Sequence, residues 1–189
     1  MSLLPKTELK VSPAFFIMML SLVLDQLTKT LVRVNLELHQ CIPILKNTFG
    51  DTFMLYYVQN SGAAFSLGFN NDAFNRWFFI GVTILALAFI LYLLFHSQHR
   101  IQVFSFGFVL GGALGNMVDR IIYGSVTDFF SVDFPDIIMQ RFPIFNIADS
   151  SIFIGVCLLI IDMIFIKDAS VPAQVAEAQP QEEITTKEI

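Results

Sequence analysis

Apolar and polar positions along this chain vary on two length scales. Long apolar runs of helix length are separated by shorter, mixed segments rich in turn residues. The first run starts at Ala14 and continues at helical spacing through DQLTKTLVRV to Val34, interrupted by Asp25 and Lys29. It predicts one spanning helix at about 13–34. A secretory signal peptide competes for this stretch, but no small-residue cleavage pattern follows it. Trp77 to Phe95 is 19 residues without a charge, roughly 28 Å as a helix and enough to cross a hydrocarbon core. A tight turn, HSQHR, leads into a third span at 101–118, and a fourth covers 147–166. In the third, Gly111, Gly112, Ala113 and Gly115 suit close approach of helix backbones in a membrane.

The segments between the spans read differently. CIPIL (41–45) and TFMLYYVQ (52–59) are short β-branched and aromatic runs bounded by Pro43, Asn47, Gly50 and Asn60. They predict strands of a small extramembrane sheet within a 35–76 loop. NNDAFNRW (70–77) predicts a short interfacial helix. Residues 120–145 form a second extramembrane loop with Pro135 and Pro143. Residues 1–12 are a short polar segment, and 167–189 read as a disordered acidic tail, expected to be dispensable for activity. The predicted fold is an all-α membrane bundle of four transmembrane helices with a small β-sheet subdomain.

Composition supports the membrane class. Of 189 residues, 55% are hydrophobic and 14% charged, and 21 are Phe; soluble domains are about 25% charged. Disorder and nucleic-acid binding are both disfavoured. The net charge of −5 is mostly a property of the tail, where two lysines and five acids leave −3. Cys41 and Cys157 make no disulfide framework. Four spans place both termini on one side. Which side is left open, because Lys6, Lys10, Arg100 and Lys167 flank one face and Lys29, Arg33, Lys46, Arg76, Arg120 and Arg141 the other. Several of the latter are candidates for pairing, Lys29 with Asp25 and Arg120 with Asp119.

Acids near a membrane are costly and tend to be functional. Asp25, Asp119, Asp128 and Asp149 fall where spans meet one face: Asp25 in the outer half of helix 1, Asp119 at the end of helix 3, Asp128 in the following loop, Asp149 opening helix 4. Asp162 lies toward the opposite end, beside Lys167, and reads as an interfacial charge. Taken singly, each acid reads equally well as an ion pair or helix cap. Asn116 with Asp119, and Asn146 with Asp149, are i, i+3 pairs on one helix face each; Asn146 also suits a cap and Asp149 the helix dipole.

Other chemistries find little support. There is no HExxH and no Cys/His set at zinc spacing. His96 and His99 sit at the opposite face and read as a solvated turn; His39 is a lone loop histidine. No Ser or Cys occupies a nucleophile elbow. What remains is a set of carboxylates, amides, one arginine and one lysine. Two carboxylates sharing a proton can hydrolyse an amide without metal or cofactor: one takes a proton from water while the protonated partner polarises the carbonyl.

DQLTK at 25–29, NSGAAFS at 60–66, GGALGNMVDR at 111–120, VTDFF at 126–130 and FNIADSSIFIG at 145–155 resemble the lipoprotein signal peptidase (signal peptidase II) family in order and spacing, from about residue 15 to 166. The resemblance implies an aspartic protease of the bacterial cytoplasmic (inner) membrane, with both termini cytoplasmic and the site near the outer face. It would cut signal peptides from diacylglyceryl-modified prolipoproteins before the lipidated cysteine, within membrane lipid. It also implies inhibition by globomycin, no cofactor and no metal; we expect a monomer. The family's catalytic aspartates match Asp128 and Asp149. Thr127 stands where a second Val is usual. Asp119 rivals Asp128, but Phe129 and Phe130 offer Asp128 an apolar surround, while adjacent Arg120 would hold Asp119 ionised. Asp119 and Arg120 are therefore expected in support. Asn60, Asn116 and Asn146 would orient carboxylates or substrate backbone. Asp25 and Lys29 would pair and tie helix 1 to the site. Gly62 and Ala63 suit close backbone approach, and Ala148 belongs to the same expected binding set.

Two other classes compete. A small transporter or proton channel would also carry intramembrane acids, but no inverted repeat is visible and the acids gather at one face. A scaffold packing through the Gly-rich third span leaves the acids and asparagines unexplained.

Overall fold

The computed structural model describes residues 9–44, 46, 50, 52–62, 71–133 and 142–165. Residues 1–8 of the polar N-terminal segment, the whole acidic tail (Lys167 included), Ala63 and Pro135 lie outside these residues. Among the described residues, four helices are long and apolar enough to cross a membrane: α1 (Ser12–Asn35), α2 (Asp72–Phe95), α3 (Arg100–Tyr123) and α4 (Ile147–Phe165). A three-stranded antiparallel sheet, β1 (Cys41–Pro43), β2 (Phe53–Asn60) and β3 (Val126–Val132), is ordered β1-β2-β3. The predicted four-helix membrane bundle with a small sheet is what forms.

Helix ends follow local chemistry. Pro13 occupies the first turn of α1, where its missing N–H costs nothing. Asn71 Oδ1 caps α2 by accepting from Phe74 N at 3.0 Å. α3 starts with a capping box between His99 and Gln102 and ends at Gly124, whose φ of 83° is the left-handed conformation that glycine tolerates best.

Three expectations need correction. The interfacial helix expected at 70–77 is no separate element: residues 71–77 are the cap and first turns of α2, because no Gly or Pro separates Asp72 from the apolar run. The third span does not end at 118 but runs to Tyr123, so Asp119 lies within the helix. The loop expected at 120–145 contains β3. That strand lacks polar/apolar alternation because both of its faces are largely covered: Val126, Thr127, Asp128, Phe129 and Ser131 are all buried.

The bundle is apolar outside and polar within. Phe16, Trp77, Leu85, Phe153 and Met163 are exposed, and Asp25, Lys29, Asn75, Asp119 and Asn146 are buried, the arrangement expected where the solvent is lipid. α3 is central, packing on α1, α2 and α4. Its glycines set the spacing. A Cβ at Gly111 would lie 2.7 Å from both Met18 O and Ser21 Cβ, and one at Gly112 would run into Ala148 O. These contacts place the backbones of α1 and α4 against α3 at the level where the acids sit. A second small core, Val32, Tyr57 and Phe129, with Leu36 and Ile147 around it, fastens the sheet to the ends of α1 and α4. Cys41 and Cys157 are free, as expected.

Candidate active site

The site lies where the ends of α1, α3 and α4 meet β2 and β3. α4 begins with a reciprocal cap. Asn146 Oδ1 accepts from Asp149 N at 2.9 Å, and Asp149 Oδ2 accepts from Asn146 N at 3.1 Å. The other Asp149 oxygen accepts from Asn116 Nδ2 at 2.8 Å. Thus the two i, i+3 pairs seen in the sequence interlock. Asn146 is fully buried and its Nδ2 reaches β3, donating to Asp128 Oδ1 at 2.6 Å and to Thr127 O at 3.3 Å. One amide therefore touches both the Asp128 carboxylate and the Asp149 backbone.

β2 completes the surround of Asp128. The pairing of Leu55 with Phe130 and of Val58 with Asp128 leaves one extra residue on β2, a bulge. It increases the twist of the strand, whose end places Asn60 Nδ2 3.2 Å from Asp128 Oδ2. Asn60 Oδ1 in turn accepts from Gly62 N at 3.0 Å. Asp128 is 3% exposed. Burial, then the negative charge of nearby Asp149, push its carboxyl from 3.8 up to about 7, against smaller opposing effects of Asn60, Asn146 and Lys29. The apolar surround had been expected from Phe129 and Phe130. Phe129 instead packs with Val32 and Tyr57, on the opposite face of the strand from Asp128.

A second layer of charge lies beneath. Lys29 is fully buried and holds Asp25 Oδ2 at 2.9 Å, as the i, i+4 spacing predicts. It also donates to Asn116 Oδ1 at 2.8 Å and lies 3.5 Å from Asp119 Oδ2. The other Asp25 oxygen accepts from Ala148 N at 2.9 Å, so helix 1 is tied to the start of α4. Asp119 Oδ2 accepts from Thr127 N at 2.9 Å. The expected pairing of Asp119 with Arg120 does not form: adjacent helix residues point in different directions, and Asp119 meets Lys29 and Arg33 instead. Arg120 lies over the Phe79 ring and donates from Nη2 to Gly62 O at 2.8 Å.

The structure therefore brings Asp25, Lys29, Asn60, Gly62, Asn116, Asp119, Arg120, Asp128, Asn146, Ala148 and Asp149 into one connected network. Three further members were not singled out as site residues. Gln26 Nε2 donates to Gly115 O at 3.0 Å and lies 3.3 Å from Asp119 Oδ1. Arg33 contacts Thr127 and Asp119. Thr127 had been noticed only as a departure from pattern. The continuing i, i+4 stripe from Asp25 through Lys29 to Arg33 is the signal that could have found Arg33.

At the opposite end of the bundle, Asp162 is held by partners on a neighbouring helix. It is 5% exposed, accepts from Gln102 Nε2 at 2.6 Å and lies 2.9 Å from His99 Nδ1. His99 therefore belongs to an inter-helix contact, while His96 is exposed. Among the described residues, no group of three or more His, Cys, Asp or Glu is placed to hold a metal ion.

This architecture has known counterparts. It matches a solved bacterial membrane enzyme with a TM-score of 0.71 at 25% identity, over 94% of this chain and 98% of the other. A second solved bacterial membrane enzyme gives 0.70 at 27% identity, over 85% and 97%. In sequence, the chain is 42% identical over 146 residues to a protein of Geobacter metallireducens named "Lipoprotein signal peptidase", covering 76% of this chain and 85% of that one. A protein of the same name from Symbiobacterium thermophilum is 41% identical over 149 residues, covering 78% and 91%. The family model for signal peptidase (SPase) II matches residues 17–165, which include every residue of the network around Asp128 and Asp149, and the chain belongs to that family.

Proposed function

We propose that the chain is a membrane-embedded aspartyl endopeptidase that removes signal peptides from diacylglyceryl-modified prolipoproteins, cutting before the lipidated cysteine. Lipoprotein signal peptidase is the function of its family and of its named relatives. The observation that carries the aspartyl mechanism is the joint hold of Asn146 on Asp128 and Asp149, with Asp128 pushed up to about 7. Below about pH 7 Asp128 then carries the proton that the dyad needs on its acid member. Asp128 donates a hydrogen bond to the scissile carbonyl oxygen, and Asp149 takes a proton from the attacking water. Hydroxide adds to the carbonyl carbon, the C–N bond breaks, and the departing amine takes up the transferred proton.

Supporting roles follow from the contacts. Asn60 and Asn146 orient Asp128, and Asn116 orients Asp149. Arg120 fixes the Gly62 carbonyl, and with it the backbone next to Asn60. Asp25 and Lys29 lock α1 to α4 at Ala148. The apolar exterior lets the acyl chains of the substrate remain in lipid, since removing them would cost about 0.8 kcal/mol per CH₂. In this reading the protein lies in the bacterial cytoplasmic membrane as a monomer, both termini are cytoplasmic, and the sheet and site face outward. The same reading makes the enzyme a target of globomycin.

The test is cleavage of a diacylglyceryl-modified prolipoprotein by purified enzyme in detergent. Wild type should cleave, and Asp128→Asn and Asp149→Asn should each lose nearly all turnover while remaining folded. Normal cleavage by Asp128→Asn with none by Asp119→Asn would overturn the assignment.

A further inference from the structure

The β3 strand meets a difficulty one residue before Asp128. β3 is an edge strand, paired with β2 on one side. At Thr127 the groups on its other side are all met by side chains from helices or their caps. The Thr127 N–H goes to Asp119 Oδ2 at 2.9 Å, and its carbonyl accepts from Asn146 Nδ2 at 3.3 Å. The side-chain hydroxyl, Oγ1, accepts from Arg33 Nη1 at 2.9 Å. Thr127 is 1% exposed, so water is a poor substitute for any of the three.

Arg33 is itself held on several sides. Nη1 also reaches Asp119 Oδ1 at 3.3 Å, Nη2 donates to Thr30 Oγ1 at 3.2 Å, and the guanidinium lies 4.2 Å from the centroid of the Tyr123 ring. A planar fork stacked in this way is already organised before it binds. It joins the last turns of α1 to β3 and to the last turns of α3. A Val at this position would have a similar shape to Thr but no oxygen to accept from Arg33.

We propose that Arg33 and Thr127 form a positioning pair, in which the Arg33 guanidinium holds the Thr127 hydroxyl and thereby fixes the strand that presents Asp128 to Asp149. The proposal rests on the aspartyl reading above. Neither residue touches the reacting atoms; both act through the placement of the Asp128 backbone. A misplacement of about 1 Å at a reacting group can lower turnover by as much as 10²-fold, so a partial loosening predicts an effect of about tenfold.

The experiment measures kcat and KM on a diacylglyceryl-modified prolipoprotein for Arg33→Met, Thr127→Val, Thr127→Ser and the Arg33→Met/Thr127→Val double variant. The active fraction is normalised to folded protein. Arg33→Met and Thr127→Val should each lower kcat about tenfold with KM changed less than about twofold. Thr127→Ser, which keeps the hydroxyl, should stay within about threefold of wild type. The double variant should be no slower than the slower single variant, because removing both polar ends leaves no unpaired donor. Wild-type kcat in Thr127→Val would overturn the pairing, and so would single effects that multiply in the double variant. A loss of folded protein with unchanged kcat per folded molecule would also overturn it, since that is the result of a purely structural tie. Should Arg33→Met fail to fold, the isosteric Thr127→Val and Thr127→Ser pair decides alone. Asp128→Asn and Asp149→Asn run in parallel: retained cleavage there refutes the aspartyl reading itself, separately from the Arg33–Thr127 pair.

Discussion

Replacing Asp128 with Asn should abolish turnover and yet stabilise the fold, by an amount that depends on pH. In the folded chain Asp128 holds its proton up to about 7, whereas the unfolded group releases it near the ordinary aspartate value of 3.8. Between those values the unfolded state binds fewer protons than the folded one. Stability therefore falls as pH rises through this window and levels off above about 7. The raised value corresponds to about 4 kcal/mol of penalty at pH 9, at about 1.4 kcal/mol per pKa unit. At pH 5 only about 2 kcal/mol of it has developed. Asn has a similar shape, keeps one oxygen to accept from Asn60 or Asn146, and does not ionise. The stability of Asp128→Asn relative to wild type should thus increase by about 2–3 kcal/mol between pH 5 and pH 9. Pulse proteolysis across an SDS titration, performed on both proteins at pH 5, 7 and 9, measures the difference. A difference that stays flat with pH, or that shrinks as pH rises, would refute the argument that burial and Asp149 disfavour the Asp128 charge.

Three other outcomes follow from the same geometry. The kcat/KM profile of the wild type should fall as pH rises through about 7, as Asp128 loses the proton it donates; a profile flat from pH 6 to 9 would count against that role. Gly112→Leu should cut turnover at least tenfold and destabilise by about 1–3 kcal/mol, because its side chain would meet Ala148 O and Ile152 and push away the helix that carries Asp149. Retained activity and stability in that variant would show that the α3–α4 seam can give way. Lys29→Met should cost about 3–5 kcal/mol by leaving buried Asp25 unpaired, and adding Asp25→Leu should recover part of that loss in the same unfolding assay.

Much of the architecture is written in local pattern. The four spans are legible because an uncharged run such as Trp77 to Phe95 has few alternatives to a membrane helix. The contact of Lys29 with Asp25 is legible because four residues is one helical turn. The Gly-rich stretch around Gly112 announces close packing, though not its partner. β3 is hidden because a strand covered on both faces loses the alternation that marks half-buried strands. The extension of α3 past Asp119 is hidden because charged and β-branched residues near its end look like a loop when read without their partners.

Residue spacing along one helix was enough to place Asp25 below Lys29 and Asn146 three residues before Asp149. Only the packed structure decided that Asp119 would hold the Thr127 amide, that Arg120 would turn to Gly62, and that Asn146 would reach across to Asp128. These partners are separated by between 8 and 58 residues in the chain. Periodicity specifies which face of an element is polar. Which polar group it meets depends on how closely and in what register the elements pack, and here that register is set by the glycine seams of α3 and the bulge in β2.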